Sequence, residues 1–365
     1  MKRVLYLIKG LGRGGAEQSI LNGARFHDRS RFTFELAYLL PEMAELLPDF
    51  NAAGIPVHCL GIRGVGWMKR LRSLAREREI DLVHVHSPYA AVGARMTLRG
   101  ITRIVYTEHN VWDSYHPATR AGNMMTYPLN DHVIAVSDYV RRSMRYPGGL
   151  RMRMPPVTVA RNGLDWDAVQ TWARDDGARA ALELPDGVPV VGIVANLRPQ
   201  KGHRYLIEAA ALVRKVIPDV RFVLLGRGAL EAELRQRVAD RGLQQTVLFS
   251  SYRGPAPFVM TAFDVFALPS VHEGLSIAAL EAMALGRPMV VSNIGPLVEL
   301  LGDPPAGLVV PVAQPEALAD AILELLQDVQ LRRSLSASAA QRAKAFDVRN
   351  VVERTEAIYE GLLAG

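Results

Sequence analysis

The sequence predicts an α/β protein of two domains, each built on a parallel sheet, and three observations support this. Its 365 residues exceed the roughly 100–200 residues of a typical domain. Short apolar runs alternate with helical segments in both halves of the chain, which is typical of parallel sheets. Polar clusters follow several of the predicted strands, where open parallel sheets bind ligands.

In the first half, each apolar run predicts a strand and most of the intervening segments predict helices. The predicted strands cover residues 2–8, 32–40, 55–60, 81–86, 103–107, 132–136 and 157–160, and the predicted helices cover 16–25, 67–78, 90–98 and 138–144. The polar residues that follow strands here include His86 and His109. The charged, glycine- and proline-rich stretch 172–189 then predicts a connection between domains.

The second half repeats the alternation. Strands are predicted over 188–195, 221–225, 247–250 and 264–268, and helices over 230–241, 278–284, 315–331 and 333–344, before a final amphipathic segment over 348–363. Loops at the strand ends contain basic residues after the first strand of this half and carboxylates after the fourth. Both loops are therefore candidate ligand sites.

Composition indicates an ordinary globular protein, with 49% hydrophobic and 22% charged residues. The single cysteine, Cys59, excludes an internal disulfide and favours a reducing compartment. No run of eighteen apolar residues predicts a membrane span, and the apolar part of the N-terminal segment is too short for a signal peptide. We therefore expect a cytoplasmic protein. A second expectation is that it attaches peripherally to the inner face of the membrane.

The formal net charge of +6 lies entirely in the first half of the chain. Nucleic acid is not an expected partner, because stacking aromatics and nucleic-acid-binding signatures are absent. An anionic membrane surface would gain about 1 kcal/mol per nearby basic residue, and the alternative is a solvated helix face. The basic residues form two runs: Lys69, Arg70, Arg72, Arg76 and Arg78, and Arg141, Arg142, Arg145, Arg151 and Arg153.

Two carboxylates, Glu273 and Glu281, follow the predicted strand 264–268, with a helix predicted between them from an N-cap at Ser276. Eight residues of continuous helix span roughly 12 Å, whereas the carboxyl pair of a retaining glycosidase lies about 5–5.5 Å apart. The spacing suits an extended ligand such as a nucleotide-sugar, with backbone N–H groups of residues 275–277 facing its anionic centre. The alternative is a surface helix with two solvated glutamates.

Several segments, in this order along the chain, resemble family 4 glycosyltransferases and their E-x7-E signature. This family has the GT-B fold of two facing Rossmann-like domains with a central cleft and a C-terminal helix that crosses back to the first domain. The resemblance implies an acceptor-side domain over 1–170, a nucleotide-sugar-binding domain over 171–345 and a returning helix over 346–365. The segments begin at Gly14, Thr107, Val136, Asn162, Leu197 and His272.

The resemblance also implies a retaining transfer of sugar from a UDP- or GDP-sugar to a hydroxyl of a sugar, lipid-linked or small-molecule acceptor. It implies roles in bacterial glycan, glycolipid or glycosylated metabolite synthesis. The resemblance implies that no metal is required for this chemistry. Fixed positive groups and helix N-termini stabilise the charge that gathers on the leaving diphosphate.

Residue roles follow from the same resemblance. The catalytic candidates are His109 and Glu273 at the sugar, with Arg198 and Lys201 at the diphosphate. Many relatives have an arginine where this chain has Asn196, so either Arg198 takes over that role or Lys201 acts largely alone. The donor-binding candidates are Gly14, Gly15, Asn196, Gly274, Leu275, Ser276 and, at the ribose, Glu281.

Two other functions stay open. Gly10, Gly12 and Gly15 fit the dinucleotide fingerprint G-x-G-x-x-G and would suit an NAD-dependent oxidoreductase, although the acid expected about twenty residues on lies too far along, at Glu42. A non-catalytic partner subunit of the same fold is the other alternative. Among the histidines, His84 is predicted to be a core residue and His86 either core or site, and no spacing predicts a zinc site.

Overall fold

The structure is a computed structural model that describes residues 1–61, 64, 66–144, 154–173, 177–250, 252 and 254–364. The chain divides into two compact units, Met1–Gly163 with Val348–Gly365, and Leu164–Asp347. Three residues of the second basic run, Arg145, Arg151 and Arg153, lie outside the described residues. The same is true of Ser251 and Arg253, which follow the predicted strand 247–250.

The first unit contains a seven-stranded parallel sheet in the order β3-β2-β1-β4-β5-β6-β7. Its strands are β1 (Lys2–Ile8), β2 (Phe32–Tyr38), β3 (Val57–Cys59), β4 (Leu82–Val85), β5 (Arg103–Glu108), β6 (His132–Ala135) and β7 (Val157–Val159). Its helices are α1 (Gly15–Ala24), α2 (Leu47–Ala52), α3 (Gly66–Glu77), α4 (Pro88–Leu98), α5 (Pro117–Thr126), α6 (Asp138–Ser143) and, from the end of the chain, α16 (Val348–Leu363).

The second unit contains a six-stranded parallel sheet in the order β10-β9-β8-β11-β12-β13. Its strands are β8 (Val190–Val194), β9 (Arg221–Leu225), β10 (Val247–Ser250), β11 (Val265–Leu268), β12 (Met289–Ser292) and β13 (Leu308–Val310). Its helices are α7 (Trp166–Trp172), α8 (Ala178–Ala181), α9 (His203–Val216), α10 (Glu231–Asp240), α11 (Ala256–Met260), α12 (Ile277–Ala284), α13 (Gly295–Leu301), α14 (Pro315–Gln327) and α15 (Val329–Ala343).

The central strands explain why the α/β prediction is confirmed. All four residues of β4 and all four of β11 are buried, as expected for strands of a parallel sheet that is covered on both faces. In the first unit β1, β4 and β5 are neighbours, and in the second unit β8 and β11 are neighbours. The loops that leave the carboxyl ends of these strands therefore share an edge of their sheet.

The C-terminal helix α16 belongs to the first unit, which confirms the predicted return of this helix. The Glu356 carboxylate lies 2.8 Å from Nδ1 of His27, and the Tyr359 hydroxyl lies 2.5 Å from Nδ1 of His84. Tyr359 belongs to the hydrophobic core of the first unit and His84 is buried, so His84 is the core residue that the sequence predicts. The first unit thus completes its core with residues from the end of the chain.

The helices differ from the prediction in one boundary and in several additional elements. The break between α14 and α15 falls at Asp328 rather than near residue 332, because the Asp328 carboxylate caps α15 by accepting from the backbone N–H groups of residues 330 and 331, both at 2.9 Å. The prediction also misses helices α2, α5, α7, α8, α9, α11 and α13. Of these, α2, α5, α11 and α13 have a proline in the first turn, where a missing N–H is harmless and the proline starts the helix.

Candidate active site

In the second unit, the loop after β8 is held against the loop after β11. The backbone N–H of Val271 donates to the carbonyl of Gln200 at 2.8 Å. Gly202 has a φ of +71°, and a Cβ built there would lie 1.9 Å from the carbonyl oxygen of Pro269. Glycine is thus required twice, by the left-handed backbone and by the close approach. This contact fixes the position of the neighbouring Lys201.

Lys201 and Glu273 form an ion pair at this edge, with 2.5 Å between Nζ and Oε1. The Ser270 hydroxyl donates to the same carboxylate oxygen at 2.9 Å. The Glu273 side chain is only 7% exposed and that of Lys201 21%, so the pair is less screened by water than a surface pair. The structure therefore brings together two of the predicted catalytic residues, which lie 72 positions apart in the sequence.

Helix α12 begins beside this pair, and Ser276 is its N-cap, as the sequence predicts. The Ser276 hydroxyl accepts from the backbone N–H of Ala279 at 3.3 Å. The N–H groups of the first turn have no acceptor within the helix and carry its positive partial charge, which suits an anionic ligand. Gly274 and Leu275 precede this turn. Because the helix starts at Ile277, Glu273 lies outside it, and the 12 Å estimate for a continuous helix does not apply to the two glutamates.

Glu281 lies in the second turn of α12 and is half-buried. Among the described residues, its carboxyl group has no hydrogen-bond or ion-pair partner. Burial raises the pKa of Glu281 from 4.5 to about 8, because the charged form loses hydration without compensation. An unpaired carboxyl in this position can exchange hydrogen bonds with the hydroxyls of a ligand.

Arg198 and Asn196 lie on the β8 loop, upstream of Lys201. The Arg198 side chain is exposed, and no described residue pairs with it; Asn196 is half-buried. The backbone N–H of Arg198 donates to the Asn196 carbonyl at 2.8 Å, and the Lys201 N–H donates to the Arg198 carbonyl at 3.0 Å. The arginine is therefore free to reach a ligand, whereas the lysine is already held in place.

Two further glycines of this unit serve packing between loops. The N–H of Leu197 donates to the carbonyl of Arg227 at 2.8 Å. A Cβ on Gly226 would lie 1.9 Å from the Ala195 carbonyl oxygen, and one on Gly228 would lie 2.3 Å from that of Leu197. Gly226 and Gly228 thus let the loop after β9 support the loop that carries Arg198.

We expect the replacement Gly202→Ala to destabilise the second unit more than Gly242→Ala does. Gly242 also has a positive φ, +62°, but a Cβ there meets nothing within 4 Å. The control should therefore cost only about 1–2 kcal/mol, for left-handed backbone, whereas Gly202→Ala must also displace Pro269. Denaturant unfolding of both variants measures the difference, and equal losses in the free energy of unfolding would contradict the packing role.

In the first unit, His109 and His86 follow the adjacent strands β5 and β4. His86 Nδ1 lies 3.0 Å from His109 Nε2. His109 is half-buried, and burial lowers its pKa to about 4. The sequence predicts His86 as either a core or a site residue, and the structure places it against the predicted catalytic histidine. His84 and His86 stand two positions apart at the end of β4. This His-x-His spacing was the sequence signal that could have placed His86 at the site.

Glu108 faces away from this site, although it precedes His109. It is fully buried and accepts hydrogen bonds from Trp112 Nε1 at 2.7 Å, from the Tyr106 hydroxyl at 3.1 Å and from the Tyr115 hydroxyl. Burial raises the pKa of Glu108, while these donors oppose the rise. Neighbouring residues at a strand end point to opposite faces, so Glu108 holds the aromatic loop and is not a hydrogen-bond partner of His109.

The glycine loop after β1 packs on Met43. The Leu11 N–H donates to the Met43 carbonyl at 2.6 Å, and Cβ atoms built on Gly10 and Gly12 would lie 2.9 Å and 3.0 Å from the Met43 side chain. The first two glycines of the fingerprint thus have a packing role within the protein. Gly14 is the N-cap of α1, and Gly15 is its first residue.

The structure also shows where the first basic run lies, and it bears on two further features, membrane-spanning helices and metal sites. Helix α3 buries Trp67, Leu71 and Ala75 and exposes Lys69, Arg70, Arg72 and Arg76. Within the described residues, no helix has the length and apolar character needed to cross a bilayer. The same part of the chain contains no group of three or more histidine, cysteine, aspartate or glutamate residues that could hold a metal ion.

Comparison with known families assigns both halves of the chain. Residues 2–168 match the profile of Glycosyltransferase Family 4, and residues 175–342 match that of Glycosyl transferases group 1. Among curated proteins, D-inositol 3-phosphate glycosyltransferase of Corynebacterium urealyticum is 32% identical over 51% of this chain and 46% of its own length. The chain thus matches about half the length of that relative.

A second relative matches over a longer range. The UDP-Gal:alpha-D-GlcNAc-diphosphoundecaprenol alpha-1,3-galactosyltransferase of Escherichia coli is 26% identical over 83% of this chain and 81% of its own length. Among solved structures, Anabaena Alr3699/HepE in complex with UDP-glucose superposes with a TM-score of 0.86 at 22% identity, covering 99% of this chain and 100% of that one. That likeness shows the GT-B fold. With both halves matched by glycosyltransferase profiles, the chain belongs to the family 4 type of glycosyltransferases.

Proposed function

We propose that the protein is a retaining glycosyltransferase that moves a sugar from a UDP- or GDP-sugar to an acceptor hydroxyl. The observation that carries the proposal is the Lys201–Glu273 pair beside the first turn of α12, so that a cation, a carboxylate and a helix N-terminus lie at one sheet edge. Family membership supports the reaction class. The UDP-glucose bound by the Anabaena protein supports the donor class.

In the proposed reaction the bond between the sugar C1 and the diphosphate oxygen breaks, the acceptor oxygen bonds to C1, and the proton of the acceptor hydroxyl passes to the leaving diphosphate. Negative charge gathers on the leaving nucleoside diphosphate. Lys201, Arg198 and the N–H groups of the first turn of α12 would stabilise that charge, since they need no rearrangement as it develops. Backbone groups of Gly274, Leu275 and Ser276 would complete the donor contacts of the second unit. The family resemblance assigns Gly14 and Gly15 to the donor as well.

Three side chains would recognise the rest of the donor. Glu273 would accept hydrogen bonds from sugar hydroxyls while its second oxygen keeps Lys201 in place. Glu281 would bind the ribose hydroxyls, and His109 would hydrogen-bond the sugar being transferred. The family resemblance implies an arginine in many relatives at the position of Asn196. The Asn196 side chain would therefore contribute a neutral contact and leave the charge to Lys201 and the exposed Arg198.

A donor screen tests the proposal. The purified chain is heated with UDP-, GDP- and ADP-sugars and, for the rival oxidoreductase function, with NAD; we expect stabilisation by one nucleotide-sugar class only. Transfer to a sugar, lipid-linked or small-molecule acceptor is then followed by NMR of the anomeric proton, which reports retention. Stabilisation by NAD alone, or inversion at C1, would refute the proposal. Donor binding without transfer or hydrolysis would instead support a non-catalytic partner subunit.

We also propose that α3 attaches the protein to anionic membrane, which fits acceptors in bacterial glycan or glycolipid synthesis and a position at the inner face of the membrane; the synthesis of glycosylated metabolites would need no such contact. Arg72 and Arg76 are exposed on the polar face of this helix. Each basic residue near an anionic surface contributes about 1 kcal/mol.

Reversing both charges (R72E/R76E) is expected to weaken binding to vesicles of phosphatidylglycerol and phosphatidylcholine by at least tenfold, on that magnitude. The matched control K215E/R333E reverses two exposed charges of the second unit and should bind like the unmodified protein. Vesicle co-sedimentation at low and high salt measures both. Binding by R72E/R76E equal to that of the control would leave α3 as a solvated helix face.

A further inference from the structure

The contact between His86 and His109 has a chemical consequence that the proposed reaction does not itself specify. His86 is 9% exposed and follows β4; its Nδ1 lies 3.0 Å from Nε2 of His109, which follows β5. The other ring nitrogen of His86, Nε2, is buried and has no hydrogen-bond partner in the described part of the chain. The rest of the His86 ring packs against Tyr6 and His84, with centroid distances of 5.6 Å and 4.2 Å.

Both imidazoles are neutral near pH 7. Burial lowers the pKa of His109 to about 4. Burial also lowers the pKa of His86 well below 6.5, and the nearby His84 and His109 lower it further, because a second positive charge would repel the first. A neutral imidazole has one N–H and one bare nitrogen. One ring therefore donates in this contact and the other accepts.

The unpartnered Nε2 decides which ring donates. If His109 Nε2–H donated, His86 would have to carry its own proton on Nε2, as a buried N–H without an acceptor. If His86 Nδ1–H donates, the atom without a partner is a bare nitrogen. Buried orphan N–H groups are rarer than under-satisfied acceptors, and leaving a buried donor unmet costs about 1–3 kcal/mol. The second arrangement is therefore the stable one.

We propose that His86 is a positioning residue that donates from Nδ1 to His109 and thereby holds His109 in the Nδ1–H tautomer. His109 then faces a ligand as a hydrogen-bond donor rather than as a base, because its basic nitrogen is already occupied. The tautomer of a histidine is set in this way by the hydrogen bond of its other nitrogen. The consequence for catalysis rests on the proposed function, in which His109 meets the transferred sugar; the tautomer itself does not.

The first test is spectroscopic and needs no substrate. In protein labelled with ¹⁵N at histidine, two-bond ¹H–¹⁵N correlations distinguish the tautomers, and we expect His109 to be Nδ1–H at pH 7. In His86→Asn the amide nitrogen occupies the place of Nδ1 and can still donate, so the tautomer should be kept. In His86→Leu the donor is gone, and the Nε2–H form should appear. His132→Asn is the control, since His132 bonds Thr158 at 2.9 Å instead.

The second test is kinetic. With the donor identified in the screen, His86→Leu should lower kcat by about tenfold, the value of one hydrogen bond, with little change in KM for the donor. His86→Asn should recover most of that loss. A merely structural role would give equal losses in both variants. An Nε2–H tautomer of His109 in the unmodified protein, or a tautomer unchanged by His86→Leu, would overturn the inference. Absence of transfer with the expected tautomer would refute the proposed function alone.

Discussion

Replacing Lys201 by alanine is expected to lower kcat by about a hundredfold to a thousandfold, the cost of losing one fixed group that stabilises developing charge. The lysine is held in place by Glu273 and by the loop contact at Gly202. Its ammonium group therefore need not be ordered when charge appears on the diphosphate. Initial-rate kinetics at saturating donor measure the effect, and Lys215→Ala, at an exposed lysine of α9, is the control.

The same replacement has a second effect that must be separated from the first. Without Lys201, Glu273 is a buried carboxylate whose cation is missing, and breaking a buried pair from one side is destabilising. The double variant K201A/E273Q removes both charges, so it should recover stability while remaining inactive. A single variant that keeps full kcat, or a double variant that regains it, would show that Lys201 does not act on the diphosphate.

Replacing Glu281 by glutamine is expected to change stability and ligand binding in opposite directions. The pKa of Glu281 is about 8 in the folded protein, against an ordinary value of 4.5 that applies to the unfolded chain. Between these pH values the folded state binds one more proton than the unfolded state. The contribution of Glu281 to the free energy of unfolding is therefore fully present below about pH 4.5 and is lost as the pH rises to about 8. Glutamine carries no such charge, so the variant should unfold at higher denaturant than the parent at pH 8.5.

Nucleotide affinity should move the other way in this variant. Hydrogen bonds to a charged group are worth about 1.5–3 kcal/mol, so the loss of the carboxylate should weaken nucleoside diphosphate binding by one to two orders of magnitude, on that range. Below pH 8, ribose binding to the carboxylate should also release a proton. Calorimetry in two buffers of different ionisation enthalpy measures both quantities. Unchanged affinity and no buffer dependence in the parent would remove Glu281 from the ribose site.

Local patterns in the sequence predicted the elements that depend on local interactions. Ser276 followed by strong helix formers was enough to place the start of α12. Apolar runs were enough to place all seven strands of the first sheet and the first four of the second, but not β12 and β13. The apolar character of β4 and β11 is a property of those segments alone. For this reason the fold class is confirmed, whereas the C-terminal return of α16 was predicted from the family resemblance alone.

Contacts between distant segments could not be read in the same way. The Lys201–Glu273 pair depends on β8 and β11 becoming neighbours, and the His86–His109 contact on β4 and β5 doing so. Family resemblance named three of these four residues, but no spacing rule predicts that they touch. Glu108 shows the converse, because a carboxylate beside a predicted catalytic histidine proved to be buried among aromatic donors on the opposite face of the strand.

The return of α16 has a consequence for biosynthesis. Tyr359 and Glu356 complete the core of the first unit, yet the ribosome reaches them only after it has made the whole second unit. At about 5–20 residues per second, the nascent first unit waits some ten seconds or more for its last helix. The second unit, which is continuous in sequence, can fold meanwhile. Chaperones that protect apolar surface during translation should therefore hold the N-terminal part of this chain for longer than the part that follows it.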